Sequence, residues 1–424
     1  MEDSEGRRVF SLEVVGRTCR ISFKPRYYQI HRNLPFFEPW NYQVWPDSVA
    51  GWCSWWPYRR GISEDVVTEV ADLFATRLRD FGYDTIQIDD GFQAGSGGLP
   101  ADWLNTNERF PGGLDGLARI IRDRGLKPGI WVNVHFGDEA FVKAHPQWFA
   151  QDPDHVDITP EGEEIIRPVL ICMSGAVMML TDRVKIYRDD AKIEGARRCA
   201  PVPFSLPGQI YDYDPVKTDN IVAGLRNTEG GGPPGPIDAD QRGTFCPWWL
   251  LEIHRRFESW NVLARLGWKA QPAVDVPFGA LGLAADREYL VYEFWGDRYV
   301  GAFRGCFPAP AQAPQEARVY AVRAKEDFPQ ILSTSRHIAQ GWPDLQHVRW
   351  NDRKACLTGA SRVIGEDPYR LTLCVPAVPR PFSVKQALID GKPVQPELDC
   401  EVCRLAYVPA ETGVVAWEVW FERE

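Results

Sequence analysis

The sequence predicts an α/β protein with an all-β part: a partial (β/α)8 barrel of the TIM type followed by a C-terminal antiparallel β-sandwich. Between residues 50 and 205, short apolar strands alternate with amphipathic helices, which is typical of a parallel sheet covered by helices. From residue 288 onward, short runs of alternating apolar and polar residues indicate antiparallel sheets. The expected parts are an N-terminal β segment over 1–48, the partial barrel over 49–205, a Gly/Pro-rich loop and a helix over 206–272, and the sandwich over 273–424.

The barrel part begins with an aromatic strand at Gly51–Trp56 and continues into an amphipathic helix. Ser63 is the expected N-cap of this helix, two acidic residues occupy its first turn, and Gly82 ends it. The strand Tyr83–Ile88 follows at once. Four strands are predicted in all, about half of a complete barrel, which takes ~250 residues. The other elements of this part are the helix Leu114–Arg124, the strand Gly129–Val134 and the apolar run Val169–Leu180.

The second half of the chain begins with a predicted surface loop over 206–245, which is rich in Gly, Pro and Asp. A helix from Pro247 to Gly267 is predicted next, because apolar residues recur there at helical spacing. The stripe consists of Trp249, Ile253, Phe257 and Trp260. The expected strands are Glu288–Phe294, Arg298–Arg304, Ala317–Arg323, Tyr369–Val375 and Gly413–Phe421, with a turn at Asp390-Gly391.

The composition is that of a globular protein with a negative charge. The 424 residues carry a net charge of −10, which disfavours binding to nucleic acid or to an anionic membrane. The sequence contains no run of about 18 apolar residues, so no membrane span is predicted. The acidic start Met1–Glu5 is unlike a secretory signal. Ten scattered cysteines, of which only Cys400 and Cys403 are closely spaced, favour a reducing cytoplasmic location. Neither a metal site nor a cofactor is expected.

Two adjacent carboxylates, Asp89 and Asp90, stand where the second strand ends and the chain turns through Gly91. The chain bends at the end of a strand, so both side chains can reach one site. Paired carboxylates accept hydrogen bonds from neighbouring sugar hydroxyls, and we therefore predict a carbohydrate-binding role. The competing interpretation is a turn cap with a salt bridge.

Tryptophans end the neighbouring strands. Trp131 lies on the third strand, and Trp52 and Trp55 belong to the first. Indole faces stack on the C–H faces of sugars, so these residues are expected to wall the site, with core packing as the alternative for each. Asn133 and His135 follow Trp131 at alternating positions, and we interpret the histidine as a hydrogen-bonded supporting group rather than a catalyst.

Six short segments combine into one recognisable pattern: Gly51–Trp56, Ile88–Phe92, Phe110–Leu114 and Lys127–Trp131, and further on Asp152–Asp154 and Met173–Arg183. Together they resemble the melibiase-type α-galactosidases of the clan D glycoside hydrolases, and the resemblance covers about residues 40–205. The last two segments look like the family's segments after strand seven and along strand eight.

The resemblance implies a retaining mechanism on terminal α-galactosides, with one aspartate as nucleophile and a second as acid and base. In the family these aspartates end strands four and six, and neither segment has a counterpart here, so we assign no catalytic residue. Asp89, Asp90 and Trp131 match family positions that bind the galactose hydroxyls and wall its ring. Asp154 or Asp182 could substitute for the missing carboxylate beside Asp89.

The expected function is accordingly that of an α-galactosidase-like glycoside hydrolase without its catalytic pair, acting on a small-molecule or oligosaccharide α-galactoside. The alternatives are a non-catalytic carbohydrate-binding protein and an inactive truncated relic. A half-barrel exposes two unpaired strand edges, which two chains could bury in a homo-oligomer. A deletion from a longer enzyme also accounts for the missing strands four to seven.

Overall fold

The structure, a computed structural model, describes residues 49–95, 105–131, 156–160, 162–175, 177–203, 209–210, 247–377 and 381–423, with the backbone alone at positions 209, 210 and 280. These residues belong to one compact unit. The expected β segment over 1–48, most of the Gly/Pro-rich loop, and the calls on Asn133, His135 and Asp152–Asp154 lie outside the described residues.

The barrel part contains four strands and five α-helices among its described residues. The strands are β1 (Ala50–Cys53), β2 (Thr85–Ile88), β3 (Lys127–Ile130) and β4 (Met178–Leu180). The helices are α1 (Trp55–Tyr58), α2 (Glu64–Arg77), α3 (Gly113–Asp123), α4 (Ile166–Ser174) and α5 (Asp190–Cys199), with 3-10 turns at Arg59–Gly61, Arg79–Phe81 and Val184–Arg188. The predicted aromatic strand at Gly51–Trp56 is thus shorter, because Trp55 already belongs to α1.

The four strands form one sheet in the order β3-β2-β1-β4, and every pair in it is parallel. This order confirms that the predicted strands make one contiguous part of a barrel. The predicted run Val169–Leu180 is a strand only at Met178–Leu180, because its first half belongs to helix α4. At the β4 edge, Val156 forms a parallel bridge with Leu180, donating from its amide to the Met179 carbonyl at 2.9 Å. That edge is therefore partly paired.

Helix α2 illustrates how local sequence fixes the position of these strands. The Ser63 hydroxyl accepts from the Val66 amide at 3.5 Å, which confirms the predicted N-cap. Phe74, on the buried face of α2, packs edge-on against Tyr187 at 5.0 Å between ring centroids. After a further 3-10 turn, Gly82 takes a left-handed conformation with φ of 117° and directs the chain into β2.

The second half of the chain is antiparallel throughout its described strand pairs. Its sheets have the orders β10-β9-β12-β7-β6-β5, β11-β8, β13-β16-β20-β19 and β14-β15-β21-β17-β18. The strands are β5 (Gln209–Ile210), β6 (Trp248–His254), β7 (Ser259–Gly267), β8 (Val274–Pro277), β9 (Glu288–Glu293), β10 (Arg298–Arg304), β11 (Cys306–Ala309), β12 (Glu316–Ala324), β13 (Gln330–Thr334), β14 (Leu345–Asn351), β15 (Cys356–Val363), β16 (Tyr369–Cys374), β17 (Phe382–Ile389), β18 (Lys392–Pro393), β19 (Glu397–Asp399), β20 (Val402–Tyr407) and β21 (Gly413–Arg423). A 3-10 turn covers Phe278–Leu281.

The helix predicted from Pro247 to Gly267 is wrong: this segment is the hairpin β6–β7. Trp249 and Ile253 are four residues apart, a spacing that fits a strand face as well as a helix face. Nearly every residue of β7 is buried, so the strand lacks the alternation that identifies a half-exposed strand. The predicted boundary at 273 also falls inside a sheet, because β7 pairs with β12.

Both faces of β7 are covered, which explains its burial. Val262 and Ala264 pack with the barrel part in the largest apolar cluster, whereas Leu263 faces a second cluster with Tyr289 and Phe307. The two remaining large sheets share a third cluster that includes Leu371 and Trp417. The predicted fold class, a partial parallel barrel followed by antiparallel sheets, is confirmed.

Candidate functional site

Asp89 is held at the carboxyl end of β2 by the residues that end β1. Its amide donates to the Ser54 hydroxyl at 2.8 Å, and its Oδ2 lies 3.5 Å from the Cys53 thiol. Its Oδ1 accepts from the Asp90 amide at 2.7 Å. Because β1 and β2 are parallel neighbours, both chains turn at the same edge, and Asp89 is fixed there while 9% exposed.

Asp90 is also nearly buried, and it pairs with an arginine from the 3-10 turn after α1. The Arg60 guanidinium donates from Nε to Asp90 Oδ2 at 2.8 Å, and the arginine side chain is 58% exposed. The competing interpretation of Asp90 as part of a salt bridge is therefore correct in this structure, although an exposed partner can be displaced at low cost.

Gly91 makes the turn after these carboxylates feasible. Its φ of 123° disfavours any residue with a side chain, and an added Cβ would lie 2.5 Å from Arg60 Cα. The Gly91 carbonyl accepts from Asn107 Nδ2 and from Arg109 Nη2, both at 2.7 Å. The close approach of the Gly91 turn to the backbone of Arg60 is thus what brings Arg60 to Asp90.

Two of the three tryptophans predicted as walls are only partly buried. Trp131 follows β3, and its amide donates to the Ile88 carbonyl at 2.8 Å, so it ends next to the Asp89 turn. Trp55 lies on α1, just after the serine that binds Asp89. The Arg59 guanidinium stacks over Trp55 at 4.9 Å from the ring centroid, and over Trp56 at 4.2 Å.

Trp52 lies in the core and offers no exposed face. It is fully buried, its indole nitrogen donates to the Asp182 carbonyl at 3.1 Å, and its ring packs edge-on against Tyr58. The core-packing alternative thus describes Trp52 in this structure. Its function is to join the ends of β1 and β4.

A second pair of carboxyl groups, Asp157 and Asp182, lies at the end of β4. Asp182 is 2% exposed and accepts from the Ile158 amide at 3.1 Å and from the Thr159 hydroxyl at 2.5 Å. Burial and the hydrogen bond with Asp157 raise the pKa of Asp182 to about 8. Burial alone would raise the pKa of Asp157, but the hydrogen bond from Asp182, the hydrogen bonds from Thr159 and the charge of Arg167 together lower it.

Sequence reasoning named Asp182 only as a substitute beside Asp89 and did not find its partner Asp157. It also missed Cys53, Ser54 and Arg60, the side chains that hold the first pair. A serine directly after a strand and an arginine in the following loop were the available signals. Nothing local in the sequence marks Asp157, because the Val156–Leu180 bridge is what brings it to Asp182.

At one edge of the sheet, the described residues thus include two carboxylates that accept hydrogen bonds, Asp89 and Asp90, with Trp55 and Trp131 on the neighbouring segments. At the end of β4, Asp157 and Asp182 share a proton. The described residues contain no group of three or more His, Cys, Asp or Glu side chains placed to hold a metal ion. Among the helices that the structure describes, none has the length and apolar character needed to cross a membrane.

Comparison with known families places the same segment in context. Residues 53–147 match the family model described as alpha galactosidase A. An alpha-galactosidase of Oryza sativa subsp. japonica is 35% identical over 82 residues, 19% of this chain and 20% of that protein. An alpha-galactosidase of Cyamopsis tetragonoloba is 33% identical over 144 residues, 34% of this chain and 32% of that protein. The chain therefore spans a fifth to a third of the length of these curated relatives.

Solved structures with a similar arrangement include alpha-galactosidase I from Mortierella vinacea, with a TM-score of 0.42 and 11% identity over 65% of this chain and 96% of that one. The alpha-galactosidase MEL1 from Saccharomyces cerevisiae gives a TM-score of 0.42 and 9% identity, and covers 66% of this chain and 98% of that one. The fold assignment rests on the strand order described above.

Proposed function

Because its barrel part is related to the melibiase-type α-galactosidases, we propose that this protein binds a terminal α-galactoside at the carboxyl ends of β2 and β3 without hydrolysing it. The observation that carries this proposal is the fixed position of Asp89. Its amide and both carboxylate oxygens are engaged by Ser54, Cys53 and the Asp90 backbone. The carboxylate is therefore oriented before any ligand arrives, which lowers the entropic cost of binding.

The chemistry of this edge suits a sugar. Each carboxylate oxygen has more than one acceptor position, so Asp89 and Asp90 retain capacity for hydroxyl donors besides the bonds described. Trp131 begins beside the strand end that carries these carboxylates, since its amide donates to the Ile88 carbonyl, and Trp55 follows Ser54; both are partly exposed. Indole rings suit stacking on sugar C–H faces, although the Arg59 guanidinium lies over Trp55 and has to move to free that ring. Trp52 is fully buried and offers a ligand no stacking face.

The proposal of binding without turnover rests on the state of the other carboxyl groups. Retention requires two carboxyl groups about 5–5.5 Å apart, one of them free to attack the anomeric carbon. At the strand ends that the structure describes, Asp90 is paired with Arg60, and Asp182 is buried with both oxygens accepting from the Ile158 amide. Neither is positioned as an exposed nucleophile.

A second function, hydrolysis with Asp182 as proton donor, is favoured by one observation. A carboxyl group that keeps its proton at neutral pH is what a general acid requires, and burial raises the pKa of Asp182 to about 8. This function requires that Asp182 leave its bonds to Ile158 and Thr159 and reach a substrate beside Asp89.

The test combines binding with turnover on one monodisperse preparation. We expect galactose to raise the melting temperature, with glucose as the matched sugar control, because a ligand that binds only the folded state stabilises it. The rise should vanish in Asp89→Ala. A nitrophenyl α-galactoside should remain uncleaved. Cleavage that disappears in Asp182→Asn would establish the second function instead. A folded protein whose melting temperature does not respond to galactose would indicate an inactive relic.

A further inference from the structure

Arg60 contacts the proposed binding site through one nitrogen of a largely exposed side chain. Its Nε donates to Asp90 Oδ2 at 2.8 Å, while the side chain as a whole is 58% exposed. A guanidinium also carries N–H donors on both Nη atoms, and within the part of the chain that the structure describes only the Nε donor of Arg60 has an acceptor. The two Nη groups are therefore available to a ligand that lies against Asp90.

The backbone that carries Arg60 is fixed in place by a second arginine. Arg109 donates from Nη2 to the Arg60 carbonyl at 2.5 Å and to the Gly91 carbonyl at 2.7 Å, and from Nε to the Ile62 carbonyl at 3.0 Å. Arg109 thus joins the turn after α1 to the turn after β2. Because the backbone is already ordered, only the side-chain torsions of Arg60 remain to be fixed when a ligand binds, which lowers the entropic cost of using it.

Arg59, the preceding residue, has a strained backbone and an exposed charge. Its φ of 49° and ψ of −143° are unfavourable for a residue with a side chain, and strain of this kind is concentrated at ligand sites. Its guanidinium lies over the rings of Trp55 and Trp56. With the residues that the structure describes, Arg59 forms no ion pair, so an anion near Arg60 would offer it a stronger partner than the two indoles.

A third exposed arginine adds to the positive charge at this end of the sheet. Arg183, which follows Asp182, lies over the ring of Tyr58 on α1, 5.5 Å from its centroid. Exposed arginines thus lie on both sides of α1, in a chain whose net charge is −10. The hydroxyls of a neutral sugar do not require these charges. A sulfate or carboxylate group would gain from them, because a guanidinium matches the paired oxygens of such a group with two parallel hydrogen bonds.

We propose that the galactoside bound at Asp89 and Asp90 carries an anionic oxygen group, a sulfate ester or a carboxylate, and that the Nη groups of Arg60 bind it. This inference rests on the proposed function, in which the two carboxylates accept from the sugar hydroxyls. Arg60 keeps its Nε bond to Asp90, so Asp90 enters the site as an ion pair and repels the anion less than a free carboxylate would. Arg59 moves toward the same anion and uncovers Trp55 for stacking.

The test is calorimetric titration of the full chain at pH 7 with methyl α-galactoside, its 6-sulfate and methyl α-galacturonide. We expect at least one anionic sugar to bind about tenfold more tightly than the neutral one at low salt, and this ratio to shrink at about 0.5 M salt, which screens exposed charges. Comparison of the two anionic sugars identifies the preferred group. Arg60→Gln should bring the ratio to about one. Arg287→Gln is the matched control and should preserve the ratio, since Arg287 is 50% exposed and pairs with Glu326 at 2.7 Å.

The outcomes separate this inference from the proposed function. If the neutral galactoside binds and Asp89→Asn weakens it, but neither anionic sugar binds more tightly, the inference is wrong and the proposed function stands. If none of the three sugars binds to folded protein, both are wrong. Anionic sugars that bind equally well to Asp89→Asn, or no better than inorganic sulfate, would show adventitious anion binding and overturn the inference. Arg60→Lys keeps the charge without the planar fork and should lose most of the ratio, so a wild-type ratio in that variant would contradict the role of the Nη groups.

Discussion

Asp89 with Asp90 follows β2, and Asp182 with its partner Asp157 lies at the end of β4, so both pairs stand at the same edge of one parallel sheet. The first pair is fixed by backbone amides, a serine and a thiol, and an exposed arginine lies beside it. The second pair shares a proton in the core. The two pairs thus occupy equivalent positions on the sheet. The groups that surround each pair determine whether it can bind a ligand.

The largest effect should come from the turn that only the first pair has. We expect Gly91→Ala to lower the free energy of unfolding by about 3 kcal/mol, because φ of 123° is strained for alanine and the new Cβ would collide with the Arg60 backbone. Urea denaturation measures this loss. Gly61→Ala is the matched control, since an added Cβ there meets nothing within 4 Å. Equal costs at the two positions would contradict the described turn.

The second pair should make stability depend on pH. The pKa of Asp182 is raised to about 8 in the folded state, above ~3.9 when unfolded, so its contribution is complete below pH ~4 and is lost as the pH rises through 8. We expect the melting temperature to fall between pH 5 and pH 8 and this fall to flatten in Asp182→Asn. The exposed Asp275→Asn is the control and should preserve the slope. An unchanged slope in Asp182→Asn would show that Asp182 does not hold the proton.

A smaller effect on stability should distinguish the hydroxyl of Ser54, which follows β1, from that of Thr181, which follows β4. Ser54→Ala removes the hydroxyl that accepts from the Asp89 amide, and we expect a loss of about 1–2 kcal/mol, because the amide is left buried without its partner. Thr181, at the end of β4, has a buried hydroxyl without a hydrogen-bond partner among the described residues. Thr181→Val should therefore be neutral or stabilising in the same denaturation assay, and a larger loss there than in Ser54→Ala would reverse the comparison.

The smallest effect should come from the ion pair between Asp90 and the exposed Arg60. Arg60→Gln removes the partner of Asp90, and we expect a loss below about 1 kcal/mol, because the guanidinium is largely solvated. Thermal unfolding at low and high salt checks this, since the small difference between the wild type and the variant should shrink as salt screens the charge. A loss of several kcal/mol would mean that Arg60 is a structural support of the turn.

The sequence predicted those parts of the fold that local signals determine. These parts include the helix that Ser63 caps, the apolar strand before Asp89 and the Asp390-Gly391 turn. At that turn φ is 53° and 71°. The hairpin β6–β7 was missed because contacts with other elements bury both faces of β7. The pairing of Asp157 with Asp182 depends on a bridge between distant residues, so no spacing in the chain could reveal it.

The most direct test of this contrast is calorimetric titration of galactose into the wild type, Asp89→Asn and Asp182→Asn at pH 7. Removing a charged acceptor costs about 1.5–3 kcal/mol, which corresponds to a roughly 10- to 100-fold weaker affinity for Asp89→Asn. Asp182→Asn should bind within about twofold of the wild type. An Asp89→Asn variant that binds normally, or an Asp182→Asn variant that alone loses binding, would contradict the proposal that the ligand binds at the β2 pair.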